Sequence, residues 1–261
     1  MTFERVILEI KDTIAVLTLN HPKALNAISR QMNREIQDAL DLIARTDSGA
    51  RCLLITGAGR GFCAGANLMD DPPNDGLSPG QRHVSRWLPL FLKLRDLQMP
   101  TVSAVKGPVV GVGMSLALSA DIILAGRSAY FLQAFARIGI APDGGATFIL
   151  PRLIGKARAM ELSLLADRLP ADKAYEWGLI NRLCDDEALM DEAMDMAARL
   201  AKGPTAALGA TRKAYWMAFE NTYERQFYLE GDILEELSRT EDSVEGIKAF
   251  VEKREARFKG K

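Results

Sequence analysis

The sequence predicts an α/β fold in which short buried strands alternate with helices. Two apolar, β-prone runs, at 53–56 and 102–105, each lead into a glycine-rich turn, at 57–65 and 107–113. Glycine permits the backbone conformations that such turns need. Helical patterns separate the strands, and this alternation is typical of stacked strand and helix layers. Beyond Gly155 the pattern becomes mainly helical.

The N-terminal segment is predicted to form a hairpin followed by a helix. Residues 3–10 and 14–20 are rich in Val, Ile, Leu and Thr and flank a short turn. Ser29 is a plausible N-cap, and apolar residues at helical spacing continue to about Arg45. The strand at 52–56 then completes a strand–helix–strand unit.

The central segment repeats this alternation. Residues 70–81 combine Pro, Asp and Gly without periodicity, which predicts a mobile surface loop. The next helix is predicted from apolar residues at helical spacing, namely Trp87, Leu88, Phe91, Leu94 and Leu97. A strand at 102–105, a helix at 114–118 and a strand at 121–125 follow.

The C-terminal segment is predicted to be helical. Pro170 opens a short helix and Gly178 ends it. A short strand at 179–184 comes next. Further helices are predicted near 187–201, 205–219, 222–239 and 244–258.

Composition argues against several functional classes. The 261 residues are 48% hydrophobic, which allows a large core, and a net charge of -1 gives no argument for nucleic acid or a membrane surface. The separated cysteines, Cys52, Cys63 and Cys184, disfavour a disulfide framework and a metal site. We find neither an export signal nor a long apolar span, so we expect a cytoplasmic protein.

The two glycine-rich turns are the candidate centre of function. If the N–H groups near Ala66 converge with those of the second turn, they form an oxyanion hole that the following helix reinforces with its positive end. The alternative is that both are tight turns that pack strand against helix. The glycine spacings match neither a dinucleotide fingerprint nor a P-loop, so no nucleotide cofactor is predicted.

Four stretches together resemble the crotonase superfamily, the enoyl-CoA hydratases and isomerases. They follow the family's order: HPKALNA at 21–27, FCAGANL at 62–68, AVKGPVVGVGMSLALSADIILA at 104–125 and FARIGIAPDGGATFILPRLIG at 135–155. The resemblance implies a spiral core of ββα units over 1–200. It also implies a C-terminal helical region over 201–261 that packs in a homotrimer or a dimer of trimers.

The resemblance also implies a substrate and its contacts. It indicates an acyl-CoA thioester whose oxygen accepts from the N–H groups of Ala66 and Val112, with Gly111 shaping the second turn. Coenzyme A enters only as part of the substrate. Its adenine and pantetheine end is expected at Lys23, Ala24, Leu25, Ala64 and Leu68. Lys23 is alternatively a solvated loop residue.

The candidate proton carriers depart from the hydratase pattern. The two positions where hydratases of the family carry glutamates fall on Ser115 and Phe135, and neither side chain exchanges protons usefully near neutral pH. Asp143 is the carboxylate that remains. It resembles the acid of family members that isomerise double bonds, including the ring-opening isomerases of phenylacetate breakdown.

These three residues therefore have distinct expected roles. Asp143 is the acid/base, Ser115 is a small polar residue inside the pocket, and Phe135 is an aromatic wall that excludes water and raises the pKa of Asp143. The alternative is structural, because Pro-Asp-Gly-Gly is a strong turn sequence and Asp is a common N-cap.

Two further groups are connected with the substrate. Trp87, Leu90 and Phe91 are candidates to line the acyl pocket, although their helical spacing is as typical of core. By resemblance, Phe258 and a cation of the basic tail 252–261 reach the nucleotide of a neighbouring subunit. The tail is alternatively a solvated helix end.

The expected activity is isomerisation of an enoyl-CoA thioester. One base suffices, because it lifts a proton from one carbon of the enolate system and returns it to another. Two alternatives remain open. One is hydration of a 2-enoyl-CoA, and the other is a catalytically silent homologue that binds acyl-CoA or scaffolds an assembly.

Overall fold

A computed structural model of the chain describes residues 2–70 and 76–261 and confirms the α/β alternation. The strands are β1 (Val6–Lys11), β2 (Ile14–Leu19), β3 (Cys52–Gly57), β4 (Thr101–Val105), β5 (Pro108–Val110), β6 (Ile122–Gly126), β7 (Tyr130–Leu132), β8 (Leu169–Pro170) and β9 (Arg182–Cys184). The helices are α1 (Arg30–Ile43), α2 (Pro79–Asp96), α3 (Val112–Leu118), α4 (Ala146–Leu165), α5 (Ala171–Glu176), α6 (Leu189–Ala201), α7 (Thr205–Ala218), α8 (Tyr223–Leu237) and α9 (Glu241–Glu252). Short 3-10 helices lie at Pro22–Ala24 and Ala134–Ile138.

The main sheet positions both glycine-rich turns. As far as the structure describes the chain, its strand order is β1-β2-β3-β4-β6-β9. β1 and β2 form the predicted antiparallel hairpin, and the other neighbours are parallel. Because β3 and β4 are parallel neighbours, the turns that follow them leave the sheet at the same edge.

A small second sheet begins in the second glycine-rich turn. β5 pairs with β7 in parallel, and β7 pairs with β8. The sequence pattern does not predict β5 or β8, because three residues and two residues are too few to show a period. β5 holds the chain extended up to Gly111, which precedes α3.

The two faces of the main sheet bury different helices. Side chains alternate between the faces of a strand. Val16, Leu54 and Val102 therefore pack with α6 on one face. Leu17 and Ile55 join the larger core on the other face, which also contains buried residues of α1, α2, α3 and α4.

α2 begins earlier than the sequence pattern predicts. The Ser78 hydroxyl accepts from the Gln81 N–H at 3.3 Å, and the Gln81 side chain accepts from the Ser78 N–H at 2.9 Å. This capping box, with Pro79 at the first helical position, starts the helix inside the predicted loop. The loop prediction is therefore wrong for 79–81, and residues 71–75 of it lie outside the described residues. Leu88, predicted on the buried stripe, is exposed.

α7 is fixed against α2 by a buried arginine. The Arg212 guanidinium pairs with the Asp121 carboxylate at 2.5 Å and donates to the Leu94 carbonyl at 3.1 Å and to the Leu97 carbonyl. A buried charge needs such partners, because an unpaired one is costly away from water. The contact sets the distance between the two helices that border the candidate site.

The C-terminal tail returns to its own subunit. α9 ends at Glu252, so the predicted helix to 258 is wrong beyond that point. The Asp242 carboxylate accepts from the Lys259 N–H at 2.6 Å, and Arg51 donates to the Phe258 carbonyl at 3.1 Å. The division at 200/201 stays a prediction.

The last helices expose large apolar side chains. They include Tyr223, Phe227, Tyr228, Val244, Ile247 and Phe250. The predicted homotrimer would have to cover faces of this kind, and it stays a prediction. In the ranges described, no helix is both long enough and apolar enough to cross a membrane.

Candidate active site

The two glycine-rich turns lie side by side. The Cys63 N–H donates to the Pro108 carbonyl, and the Val110 N–H donates to the Cys63 carbonyl, both at 2.9 Å. Gly113 packs so closely that a Cβ there would lie 2.5 Å from the Cys63 sulfur. The two turns that would form the predicted oxyanion hole are therefore adjacent in the structure, and the hole itself stays a prediction.

Ala66 and Val112 present unpaired N–H groups at this junction. The main-chain groups on either side of Ala66 are already hydrogen-bonded. The Gly65 carbonyl accepts from the Ile28 N–H at 2.7 Å, and the Asn67 N–H donates to the Ile28 carbonyl at 3.0 Å. Within residues 2–70 and 76–261, the N–H groups of Ala66 and Val112 have no protein acceptor. Val112 is the first residue of α3, where a helix leaves its N–H free.

Gly111 gives the second turn its direction. Its φ of 52° and ψ of -127° lie in a region that side chains with a Cβ avoid. The position is not crowded, because a Cβ there would meet the Phe135 ring at 3.5 Å, an ordinary contact. Phe135 is buried and packs at this turn. Glycine is therefore required at 111 for its backbone conformation and not for space.

Asn26 fixes the first turn to the segment at 21–27. It is fully buried, and its side chain accepts from the His21 N–H at 2.8 Å and donates to the carbonyls of Ala58 and Gly61 at 2.9 and 2.8 Å. It also has a left-handed φ of 56°, which asparagine tolerates better than most residues. The sequence analysis missed this residue, since a lone Asn shows no period.

We expect Asn26→Ala to destabilise the fold. It leaves three main-chain groups without their partner, at about 1–3 kcal/mol for each group that stays buried and unsatisfied. Urea titration of wild type and variant measures the difference. Asn221→Ala is the control, because Asn221 makes one side-chain bond, to Gln226, and is partly exposed. An equal loss in both variants would contradict the assigned role.

The Asp143 carboxyl group is partly buried and incompletely paired. Its Oδ2 lies 3.5 Å from Nδ1 of His83, and its Oδ1 is buried with no hydrogen-bond partner in the described part of the chain. Burial raises the pKa of Asp143, while the nearby His83 and Arg86 act in the opposite direction. Gly145, not Asp143, is the N-cap residue of α4, so the side chain does not cap that helix.

Asp143 is joined to the second turn through Gly144. A Cβ on Gly144 would lie 2.9 Å from a Val112 methyl group and 3.2 Å from the Ser115 hydroxyl. Ser115 is 1% exposed, and its hydroxyl has no partner among the described residues. The structure therefore brings Asp143, Val112 and Ser115 into one small region. Two unpaired polar atoms there are consistent with a site that binds a polar ligand.

α2 contributes His83 and Arg86, two polar side chains that the sequence analysis does not single out. His83 and Arg86 stand three residues apart, so they share a helix face. Arg86 donates to the Ile28 carbonyl at 2.7 Å, lies 3.8 Å from the Asp70 carboxylate and stacks on the Trp87 ring. Burial lowers the pKa of Arg86. Only the fold shows that His83 faces Asp143.

A cavity of about 620 Å³ opens next to this region, between α2, α4 and α7. Its lining is rich in aromatic and apolar side chains, including Trp87, Phe91, Phe148, Ile149, Trp216 and Met217. His83 and Gly144 also line it. Trp87 and Phe91 line this cavity, whereas Leu90 is fully buried in the core, and a role of the cavity as the acyl pocket stays a prediction.

The predicted contacts for coenzyme A lie on adjoining segments. The Ala64 N–H donates to the Leu25 carbonyl at 2.9 Å, which joins the first turn to the 3-10 helix that holds Lys23 and Ala24. Lys23 and Leu68 are exposed. The Phe258 ring packs near Gly246 of its own subunit. Their roles in binding stay predictions.

Comparison with known proteins identifies the relatives of this chain. A family model described as enoyl-CoA hydratase/isomerase matches residues 9–261. The 1,2-epoxyphenylacetyl-CoA isomerase of Escherichia coli (strain K12) is 41% identical over 99% of both chains. The mitochondrial enoyl-CoA hydratase of Pongo abelii is 34% identical over 98% of this chain and 88% of that protein. The crystal structure of an enoyl-CoA hydratase from Bacillus anthracis has a TM-score of 0.90 at 29% identity, covering 99% of this chain and 100% of that one. These likenesses confirm the fold that the sequence motifs predict.

Proposed function

The chain belongs to the enoyl-CoA hydratase/isomerase family, and we propose that it moves a double bond within an acyl-CoA thioester, with Asp143 as the acid/base and the N–H groups of Ala66 and Val112 as oxyanion donors. One observation carries the proposal. The partly buried Asp143 carboxylate has an unpaired oxygen and adjoins Gly144, which packs against Val112, and the N–H groups of Val112 and Ala66 have no acceptor among the described residues. Ser115 and Phe135 occupy the positions where the motifs would place the two hydratase glutamates.

The proposed reaction needs a donor pair and a single base. Asp143 takes a proton from the carbon next to the thioester carbonyl, and negative charge collects on the carbonyl oxygen. The N–H groups of Ala66 and Val112 hydrogen-bond that oxygen and stabilise the enolate. Asp143 then delivers a proton to the far carbon of the conjugated system, and the double bond moves into conjugation. No water is consumed, and coenzyme A takes part only as a portion of the substrate.

The surroundings of Asp143 support this role. An acid/base works best when its pKa is close to the pH at which it operates, and burial moves the pKa of Asp143 upward. The aromatic cavity offers room for a bulky acyl group beyond the reacting carbons. The Escherichia coli relative is named a 1,2-epoxyphenylacetyl-CoA isomerase, which supports the choice of isomerisation over hydration.

We expect the protein to convert a 3-enoyl-CoA into its conjugated 2-enoyl isomer. The product is measured by the ultraviolet absorbance of the conjugated thioester and by mass spectrometry, because isomerisation leaves the mass unchanged. A parallel incubation with 2-enoyl-CoA tests the rival activity, since hydration adds one water. A 3-hydroxyacyl product without conversion of the 3-enoyl substrate would contradict isomerisation. Binding without turnover of either substrate would favour a silent homologue.

A further inference from the structure

We propose that His83 is the proton-exchange partner of Asp143. His83 transfers to solvent the proton that the Asp143 carboxyl group has taken from the substrate. This inference rests on the proposed isomerase function and assigns a second residue to it. His83 acts through Asp143 and has no contact assigned to the substrate, so it is a positioning residue and not a catalytic one.

The geometry places the imidazole against the carboxyl group, and both side chains keep partial contact with solvent. His83 Nδ1 lies 3.5 Å from Asp143 Oδ2, and the His83 side chain is 38% exposed while that of Asp143 is 32% exposed. The ring lies at the wall of the cavity between α2, α4 and α7. One edge of the imidazole therefore faces the carboxyl group while the ring keeps contact with solvent.

The proton balance of the exchange step is simple. A protonated Asp143 carboxyl group passes its proton to Nδ1 of a neutral imidazole, and the imidazolium releases the Nε2 proton to water. Asp143 is then a carboxylate again, and a solvent proton entering by the reverse route can be delivered to the product. A histidine is suited to this exchange because both ring nitrogens carry protons in the charged form.

The other charged groups nearby do not provide this route. Arg86, on the same helix, does not lose its proton in proteins and is bonded to Ile28. Lys213 and Glu220 of α7 line the same cavity from the opposite side. Ser115 of α3 is polar but does not titrate usefully. Among the groups described around the carboxyl, His83 is the one with an ionisable ring at ion-pair distance.

The test compares deuterium incorporation per turnover in heavy water for wild type and His83→Gln. In wild type, we expect the 2-enoyl product to carry solvent deuterium. In His83→Gln, which cannot relay a proton, we expect at least a threefold smaller deuterium fraction at equal conversion, because the substrate proton is returned before it exchanges. His21→Gln is the matched control, since the chain has two histidines and His21 lies on the segment at 21–27. We expect its deuterium fraction to equal that of wild type.

The outcomes separate this inference from the proposed function. Turnover with an unchanged deuterium fraction in His83→Gln, or with no deuterium in the wild-type product, would overturn the role of His83 alone. Absence of any turnover in wild type would refute the isomerase.

A second readout needs neither activity nor a folded His83 variant. Nuclear magnetic resonance of the resting wild-type protein follows the ring signals of His83 and His21 against pH. We expect the pH response of the His83 signals to differ between wild type and Asp143→Asn, with that of His21 the same in both proteins. A His83 titration that ignores the Asp143 substitution would overturn the proposed pair.

Discussion

Asp143→Asn is expected to reduce kcat for the conversion of 3-enoyl-CoA by about 100- to 10,000-fold, the usual contribution of a positioned general acid/base. The amide keeps the size of the side chain but neither accepts nor returns a proton. Steady-state kinetics with the 3-enoyl substrate measures the loss. Asp38→Asn, on the exposed side of α1, is the matched control and should keep the wild-type rate.

The same carboxyl group should set the acid limb of the rate profile. Asp143 must be ionised to act as a base, and burial raises its pKa above the ordinary aspartate value. We therefore expect kcat/KM to fall as pH drops through that raised pKa, at a higher pH than about 3.9, the value for an unperturbed aspartate. The residual activity of Asp143→Asn should lack this limb. A limb that persists in the variant would assign the acid/base role elsewhere.

Stability measurements distinguish loss of chemistry from loss of fold. Because the pKa of the folded-state carboxyl is raised, holding Asp143 ionised costs stability. That cost is absent below the unfolded-state pKa, develops as pH rises to the folded-state pKa and is constant above it. Asp143→Asn should therefore be at least as stable as wild type at neutral pH, with the difference shrinking in acid. A strongly destabilised variant would point to a structural role for Asp143.

Gly111→Ala is expected to reduce kcat by about 100- to 1,000-fold, the cost of losing one oxyanion donor. A Cβ meets no obstacle at this position, but alanine avoids the φ and ψ that Gly111 adopts. The backbone must rotate at this position, and the Val112 N–H then points away from the thioester oxygen of the substrate. We also expect a loss of roughly 1–3 kcal/mol in stability from the strained backbone.

The control for Gly111→Ala is the same substitution in α8. Gly231 has no atom within 4 Å of the position that a Cβ would take, and its φ is ordinary. Gly231→Ala should keep kcat and raise stability by up to about 1 kcal/mol, because alanine is the better helix former. If Gly111→Ala binds acyl-CoA and turns over at the wild-type rate, the N–H of Val112 is not an oxyanion donor.

The sequence predicts the parts of this fold that have a period or a punctuating residue. The hairpin of β1 and β2, the helix capped by Ser29 and the strand before Gly57 are confirmed because alternation, helical spacing and glycine each have a local physical cause. The sequence also contains the signal for the start of α2. Ser78 and Gln81 are a capping-box pair, but the density of Pro and Gly around them favoured a loop.

The site was only partly predictable. The two glycine-rich turns follow from the residues themselves, whereas the roles of Ala66, Val112 and Asp143 follow from the resemblance. The facing of His83 and Asp143 joins α2 to the segment before α4, sixty residues along the chain, and no local pattern records a contact of that kind. The buried hydrogen bonds of the Asn26 side chain could not be predicted for the same reason.

A crystal structure with an unreactive saturated acyl-CoA tests the central claim most directly. The account predicts a thioester oxygen about 2.7–3.1 Å from the main-chain nitrogens of both Ala66 and Val112. It also predicts the Asp143 carboxyl group facing the carbons next to that carbonyl, with the acyl group directed into the cavity beside Trp87. A thioester oxygen bound away from both amides, or an Asp143 side chain turned away from the acyl chain, would contradict it.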